Sequence, residues 1–316
     1  MSGALHTLPD PEAYRRAARR LKGWLKACVL CPRACKVNRL KGERGFCRAG
    51  TAAPVNTAQL HFGEEPPISG SKGSGTVFFA GCTLSCCFCQ NYQISQKGWG
   101  EELTAEDLAA VFMRLQLAGA HNLNLVTPTP HLVVILEALA IARENGCRLP
   151  VVYNTSGFER AAVIRLLSGL VEIYLPDYKY ADNAVAQRLS QAGNYVDHCR
   201  ASLKEMFAQV GGLKLNGDGV ALSGVLVRHL VLPNGLSGTP AVLRDLEALG
   251  GPEVWISLMA QYNPMYQAGQ TPGLERRLSA AEFQEAKDAL AETGIENGFV
   301  QGLASNDGAY LPGFNL

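Results

Sequence analysis

Along the chain, short runs of apolar and β-branched residues alternate with longer stretches in which apolar positions recur at helical spacing. That alternation predicts βα units feeding a parallel sheet. Strands are expected at Thr76 to Ala80, Asn122 to Val126, Pro150 to Tyr153, Val171 to Leu175, Gly224 to Val231 and Glu253 to Leu258. Helices are expected to begin near Thr104, Pro130, Phe158, Asn183, Thr239 and Ser279, the first marked by a capping box of Thr104 and Asp107.

Six units are too few for a closed eight-stranded barrel, and the expected fold is α/β, a partial (β/α)6 TIM-type barrel. A doubly wound open sheet is the alternative, but the glycine-rich turn it needs after its first strand is missing. In both architectures the chemistry belongs at the C-terminal ends of the strands. Residues 1–75 read as an N-terminal helix and a cysteine-rich metal-binding segment that ends in a connector from Gly63 to Gly75. Residues 76–300 then form the barrel, and 301–316 a tail or lid.

At 316 residues and 47% hydrophobic composition the chain can bury a full core. A formal net charge of +1 gives no field that calls for nucleic acid or a membrane surface. The first helix, with Arg15, Arg16, Arg19, Arg20, Lys22 and Lys26, is basic and amphipathic and lacks the apolar core of a signal peptide. No apolar run reaches the roughly 18 residues of a membrane span, so a cytoplasmic location is expected. Ten cysteines in that reducing setting argue against a disulfide framework. Eight stand in two tight groups, as metal ligands do, while Cys147 and Cys199 are expected to be buried thiols in helical segments.

The first expected strand runs directly into Gly81-Cys82-Thr83-Leu84-Ser85-Cys86-Cys87-Phe88-Cys89, a C-x3-C-x2-C pattern. Three thiolates on one short loop can hold three corners of a [4Fe-4S] cube and leave the fourth iron open, unlike the four-cysteine sites of electron carriers. Cys87, next to Cys86, is expected to point away. The second group, Cys28, Cys31, Cys35 and Cys47, offers four thiolates and so a closed site, either zinc or a second [4Fe-4S] cluster. Its compact spacing favours iron and sulfide, and Arg33, Lys36, Arg39, Lys41 and Arg44 would offset the thiolate charge.

From Gly81 to Asn91, with Phe88 in the aromatic position before the last cysteine, the chain resembles the radical S-adenosylmethionine (SAM) superfamily. Further segments, among them Tyr153 to Gly157, Asp177 to Tyr180, Arg228 to Asn234 and Ser257 to Tyr262, resemble the uncharacterised branch related to pyruvate formate-lyase activating enzyme. The resemblance implies that the open iron binds SAM and that one electron cleaves it to a 5′-deoxyadenosyl radical, which abstracts hydrogen from a substrate. It implies a flavodoxin or ferredoxin reductant. The usual Gly-Gly-Glu after the second strand is replaced by Asn122-Leu123-Asn124, so the Asn124 side chain or the carbonyls near Thr127 are expected to take the SAM amino group. Asn154, Ser156, Asp177 and Lys179 would lie near SAM, with Asn154 where the family carries an aspartate of a monovalent-cation site. Arg228 would face the SAM carboxylate or ribose, Gln261 and Tyr262 the substrate, and His229 either the core or the site. Three readings stay open: radical chemistry on a peptide or protein residue, the same chemistry on a small metabolite, or a non-catalytic iron–sulfur or zinc protein.

Overall fold

The computed structural model describes residues 8–303 and Phe314. A helix, α1 (Pro11–Trp24), is followed by the cysteine-rich turns and by strand β1 (Ala53–His61). A short helix α2 (Pro66–Ser69) leads into β2 (Ser74–Phe79), and the cysteine loop and α3 (Tyr92–Ser95) lead into β3 (Glu101–Leu103). From there helices and strands alternate: α4 (Ala105–Leu117), β4 (Leu123–Val126), α5 (Leu132–Glu144), β5 (Val151–Thr155), α6 (Ala161–Leu166) and β6 (Ile173–Pro176). Two helices, α7 (Asn183–Ser190) and α8 (Tyr195–Val210), precede β7 (Lys214–Leu215) and β8 (Ala221–Leu230). The order ends with α9 (Thr239–Gly250), β9 (Trp255–Met259), α10 (Ala280–Ala291) and β10 (Asn297–Val300).

One sheet runs β10-β9-β8-β6-β5-β4-β2-β1-β3, parallel from β10 to β2 and antiparallel where β1 joins β2 and β3 joins β1. Strands β2, β5 and β6 are buried at every position, because helices cover one face and the interior of a curl the other. That curl is visible in one cavity lined together by Phe78, Asn154, Arg228, Met259 and Phe299, residues from strands spread across the sheet. The fold is therefore an α/β partial barrel, open between the terminal strands β3 and β10.

The outer layer explains the composition of α5, which buries Leu132, Ile135, Leu136, Leu139 and Ala142 on several sides. A helix apolar nearly all round needs a second cover, and α1 supplies it with Tyr14, Ala18 and Leu21, the Tyr14 hydroxyl donating to the Leu170 carbonyl at 3.1 Å. The N-terminal segment thus shares the barrel's core, and the expected boundary at 75/76 falls inside β2.

Several expectations need correction. The six expected strands are all present, but β1 and β3 lie in segments read as irregular or helical approach, and β10 adds a further parallel strand. Half-exposed β1 carries Pro54, Asn56, Thr57 and Gln59, so it shows little apolar alternation. The helix expected from Asn183 is two, since Gln191 takes a left-handed conformation (φ 55°) that ends α7. Cys147 sits in the loop after α5, not in a helix, although it is buried as expected. Residues 304–313 and 315–316 of the expected lid lie outside the described residues; Phe314 meets Phe78 edge to face, with ring centroids 5.6 Å apart. No helix among the described residues is long and apolar enough to cross a membrane.

Candidate active site

The cysteine loop leaves β2 through Gly81, which takes φ 83° and passes so close to the N-terminal cysteine segment that a Cβ would stand 2.6 Å from the Cys47 carbonyl oxygen. Only glycine fits there. The loop is then pinned to the end of α7, where Ser85 and Cys87 donate backbone N–H bonds to the Ser190 and Leu189 carbonyls at 3.1 and 2.9 Å. Gln96 braces it from the other side, accepting from Ser85 Oγ and donating to the Leu84 carbonyl.

Each sulfur of the motif has a polar neighbour. The Leu84 N–H donates to Cys82 Sγ at 3.4 Å, the Ser190 hydroxyl to Cys86 Sγ at 3.0 Å, and Ser95 Oγ lies 3.1 Å from Cys89 Sγ. Burial pushes all three thiols up, Cys86 to about 11 against the pull of Lys179, and Cys89 pushes the Cys82 and Cys86 thiols further in the same direction as burial. Cys86 and Cys89 line the cavity; Cys82 faces a second hollow shared with Cys47. Cys87 lines neither, and its carbonyl accepts from Gln267.

The cavity has a volume of about 500 Å³, within the range of small-molecule sites. Its polar wall is built around Arg228, whose Nε donates to Asp177 Oδ1 at 2.9 Å, Nη1 to Glu64 Oε2 at 3.2 Å and Nη2 to Asn154 Oδ1 at 2.6 Å. Lys179 Nζ donates to the other Asp177 oxygen at 2.6 Å. Burial would push the Asp177 carboxyl up, but Arg228 and Lys179 outweigh it and hold the group below the usual carboxylate range. Burial also opposes the charge on Lys179, yet Asp177 and Cys86 keep it raised.

The sequence-selected residues divide accordingly. Phe88, Asn154, Asp177, Lys179, Arg228, Gln261 and Tyr262 line the cavity with Cys86 and Cys89. Asn124 does not: it is fully buried inside β4, and its Nδ2 donates to Glu64 Oε1 at 2.9 Å. Ser156 also lies off the cavity, its carbonyl accepting from the Tyr195 hydroxyl. The oxygens expected to reach a monovalent cation are already engaged by Arg228 and Lys179. His229 belongs to the core, between the Tyr178 carbonyl and the Thr239 hydroxyl, and burial lowers its pKa to about 4.

Sequence reasoning missed Glu64 and Glu65. They sit in the connector, and the available signal was a pair of acids immediately before Pro66-Pro67 in an otherwise small and apolar stretch.

In the second group, Cys28 and Cys31 are buried and Cys35 and Cys47 half-buried. Main-chain bonds from Cys28 to Val37 and from Lys36 to Cys28 fold the segment back on itself. Burial pushes the Cys31 thiol up to about 12, helped by Cys47 and Cys35. Arg33 bridges the two groups: its guanidinium lies 3.7 Å over the Phe46 ring, its Nε donates to the Thr83 carbonyl at 2.9 Å, and it feels Cys31, Cys82, Cys35 and Cys86. Arg39 is buried and donates to the Gly50 and Pro130 carbonyls. Among the described residues no three histidine, cysteine or carboxylate side chains converge on a single point.

A protein-family model described as the radical SAM superfamily matches residues 76–206. The chain is 33% identical over 280 residues to the uncharacterised protein MJ0674 of Methanocaldococcus jannaschii, covering 86% of this chain and 76% of that one. It is 29% identical over 136 residues to MJ0808 of the same organism, covering 38% and 40%. Among solved structures, Streptococcus suis SuiB bound to the precursor peptide SuiA aligns with a TM-score of 0.48 at 11% identity, over 70% of this chain and 46% of SuiB, so the chain spans less than half of that protein. Methylornithine synthase aligns with a TM-score of 0.43 at 13% identity, over 97% and 82%.

Proposed function

Because this chain belongs to the radical SAM superfamily, and to one family with MJ0674, we propose that it cleaves SAM reductively at a [4Fe-4S] cluster held by Cys82, Cys86 and Cys89 and turns the resulting radical on a substrate in the barrel cavity. The observation that carries this reading is the meeting of Cys86, Cys89 and Phe88 with Asp177, Lys179 and Arg228 around one cavity. The donor set fits a cube with one open corner: three thiols on a single loop, Cys86 buried and Cys82 and Cys89 half-buried, each beside an N–H or hydroxyl group.

When bound, the cluster supplies one electron, drawn from a flavodoxin- or ferredoxin-class donor, to the SAM sulfonium, so that a C–S bond breaks to methionine and a 5′-deoxyadenosyl radical that takes a hydrogen atom from the substrate. The chain's own task is placement and exclusion. Lys179 has three donors and spends one on Asp177; Arg228 has five and spends three. Their remaining donors suit the SAM carboxylate. Phe88, braced edge to face by Tyr262, offers an apolar surface to the adenosyl half, and Val126, Leu230 and Met259 keep the walls dry.

The four-cysteine group would hold a metal site with no open position, an iron–sulfur cluster in this reading, that tunes or relays electrons. Within the superfamily, the motif set at the strand ends favours the branch related to pyruvate formate-lyase activating enzyme. Anaerobic reconstitution with dithionite and SAM tests the proposal. Wild-type protein is expected to release 5′-deoxyadenosine and Cys82→Ala to release none; a reconstituted wild type that leaves SAM intact overturns it.

A further inference from the structure

The cavity has two chemically different ends. Thr76 pairs in register with Asn124, whose Nδ2 donates to Glu64 Oε1 at 2.9 Å, so Glu64 is tied to that level of the barrel. The cysteine loop begins beyond Ala80, four residues further along the strand from Thr76, which is about 13 Å of extended chain. At the level of Thr76 the connector after β1 folds into the barrel interior, where Ile68 packs against Val152, Ile173 and Leu226, and it presents Glu64 and Glu65 to the cavity.

The two carboxylates differ in what they have for partners. Glu64 is satisfied, with Oε1 receiving Asn124 Nδ2 and Oε2 receiving Arg228 Nη1. Glu65 is 8% exposed, lines the cavity, and its Oε2 has no hydrogen-bond partner. Arg228 is the nearby cation, and Asp177, Glu64 and Asn154 already share it. The ionised cavity lining therefore sets three carboxylates, Glu64, Glu65 and Asp177, against two cations, Lys179 and Arg228. One negative charge is left over, at the end away from the cysteines. A buried carboxylate without a partner costs several kcal/mol unless a ligand supplies the partner. Burial raises the pKa of Glu65, Glu64 adds to it, and Arg228, the local backbone and the Ser257 hydroxyl oppose it without cancelling it.

We propose that Glu65, backed by Glu64, is the subsite for a cationic nitrogen, an ammonium or guanidinium group, at the far end of an elongated substrate whose reacting C–H bond lies toward the cysteine loop. This deepens the function proposed above and rests on it. The substrate class is then a basic side chain or an amine-bearing molecule. The apolar walls formed by Phe78 and Met259 suit the aliphatic stem of a group that reaches from the acidic floor toward the cysteines.

SAM carries an ammonium of its own, and the experiment separates the two sources. Reconstituted holoenzyme with SAM bound is titrated with N-acetyl-lysine amide and with its uncharged isostere N-acetyl-norleucine amide, followed by saturation-transfer NMR. SAM affinity is measured in parallel by calorimetry. The charged probe is expected to bind at least tenfold more tightly than the neutral one to wild type, a preference retained in Glu65→Asp and abolished in Glu65→Gln, with SAM affinity unchanged in both variants. Equal binding of the two probes to wild type, or no binding of either, overturns the inference whether or not the variants fold. So does a Glu65→Gln protein that keeps the preference, or one that loses SAM affinity instead, which would assign the pair to SAM. Failure of wild type to bind SAM would be seen separately, and would sink the parent reading first.

Discussion

Asp177 and Arg228 are joined through both main chain and side chain: the residues bridge across the sheet, the Tyr178 N–H donates to the Arg228 carbonyl, and Arg228 Nε reaches Asp177 Oδ1 at 2.9 Å. The side chain of Arg228 then serves Glu64 and Asn154 as well. Removing it leaves two buried carboxylates short of a partner. Arg228→Met is expected to lower stability by about 3–5 kcal/mol in urea denaturation. Arg228→Lys should recover only part of that, because a single ammonium cannot replace a planar fork with three recipients. A Met variant as stable as wild type would show that the network contributes nothing to folding.

Arg33 makes a second prediction. Its guanidinium lies between the two cysteine groups and is held there by the Thr83 carbonyl and the Phe46 ring. A fixed positive charge favours the reduced, more negative form of a nearby cluster. In Arg33→Met the midpoint potential of the SAM-binding cluster is expected to fall by several tens of millivolts, on a scale where about 59 mV is a tenfold change for one electron. Potentiometric EPR reads it, and an unmoved or higher potential would refute it.

The two cysteine groups should also separate by metal content. Cys28→Ala is expected to lose the iron of one cube while the EPR signal of the remaining cluster still shifts on adding SAM; Cys82→Ala is expected to lose that shift, and Cys87→Ala to keep both. Stoichiometric zinc in wild type, displaced by Cys28→Ala, would reassign the second group.

Stability at mild acid depends on His229. The Tyr178 carbonyl can only accept, so Nδ1 carries the proton at 2.6 Å and Nε2 accepts from the Thr239 hydroxyl at 2.9 Å, which fixes a neutral ring. Burial lowers its pKa to about 4, below the ordinary value of 6.5. The unfolded chain therefore binds more protons between these values, and stability is expected to fall as pH drops from about 6.5 to 4, by roughly 3 kcal/mol for the full shift. His131, buried and also lowered to about 4, acts in the same direction. Denaturation midpoints across that range should be flatter in His229→Gln than in wild type; equal slopes would discharge His229 from the role.

The alternation of apolar runs made the parallel strands legible, because strands such as β5 and β6, buried on both faces, can hardly be written any other way. That Asn154, Asp177, Lys179 and Arg228 share one cavity was legible too, since position at or just past the C-terminal end of a parallel strand sets which end of the barrel a side chain reaches. What escaped was whatever depends on a distant partner. Strand β1 is held by pairing with β2, not by its own weak pattern. Glu64 and Glu65 reach the cavity because the connector folds into the barrel interior, with Ile68 against Val152, Ile173 and Leu226, a route that nothing in five local residues specifies. Asn124 looked like a ligand-facing strand end, yet it is the second residue of β4 and supports Glu64 from behind.

The sheet's flanks carry one more consequence. A strand with no neighbour is a template on which another copy of the chain can pair, and long flat ones invite aggregation. Here the outermost strands, β3 and β10, offer three and four residues, and β1, which β3 covers only from Ala53 to Val55, carries the polar Asn56, Thr57 and Gln59 beyond that point. At β3, Glu101 and Glu102 add charge to the border. A half-closed barrel that leaves room for a ligand thus gives a misfolding neighbour little to grip.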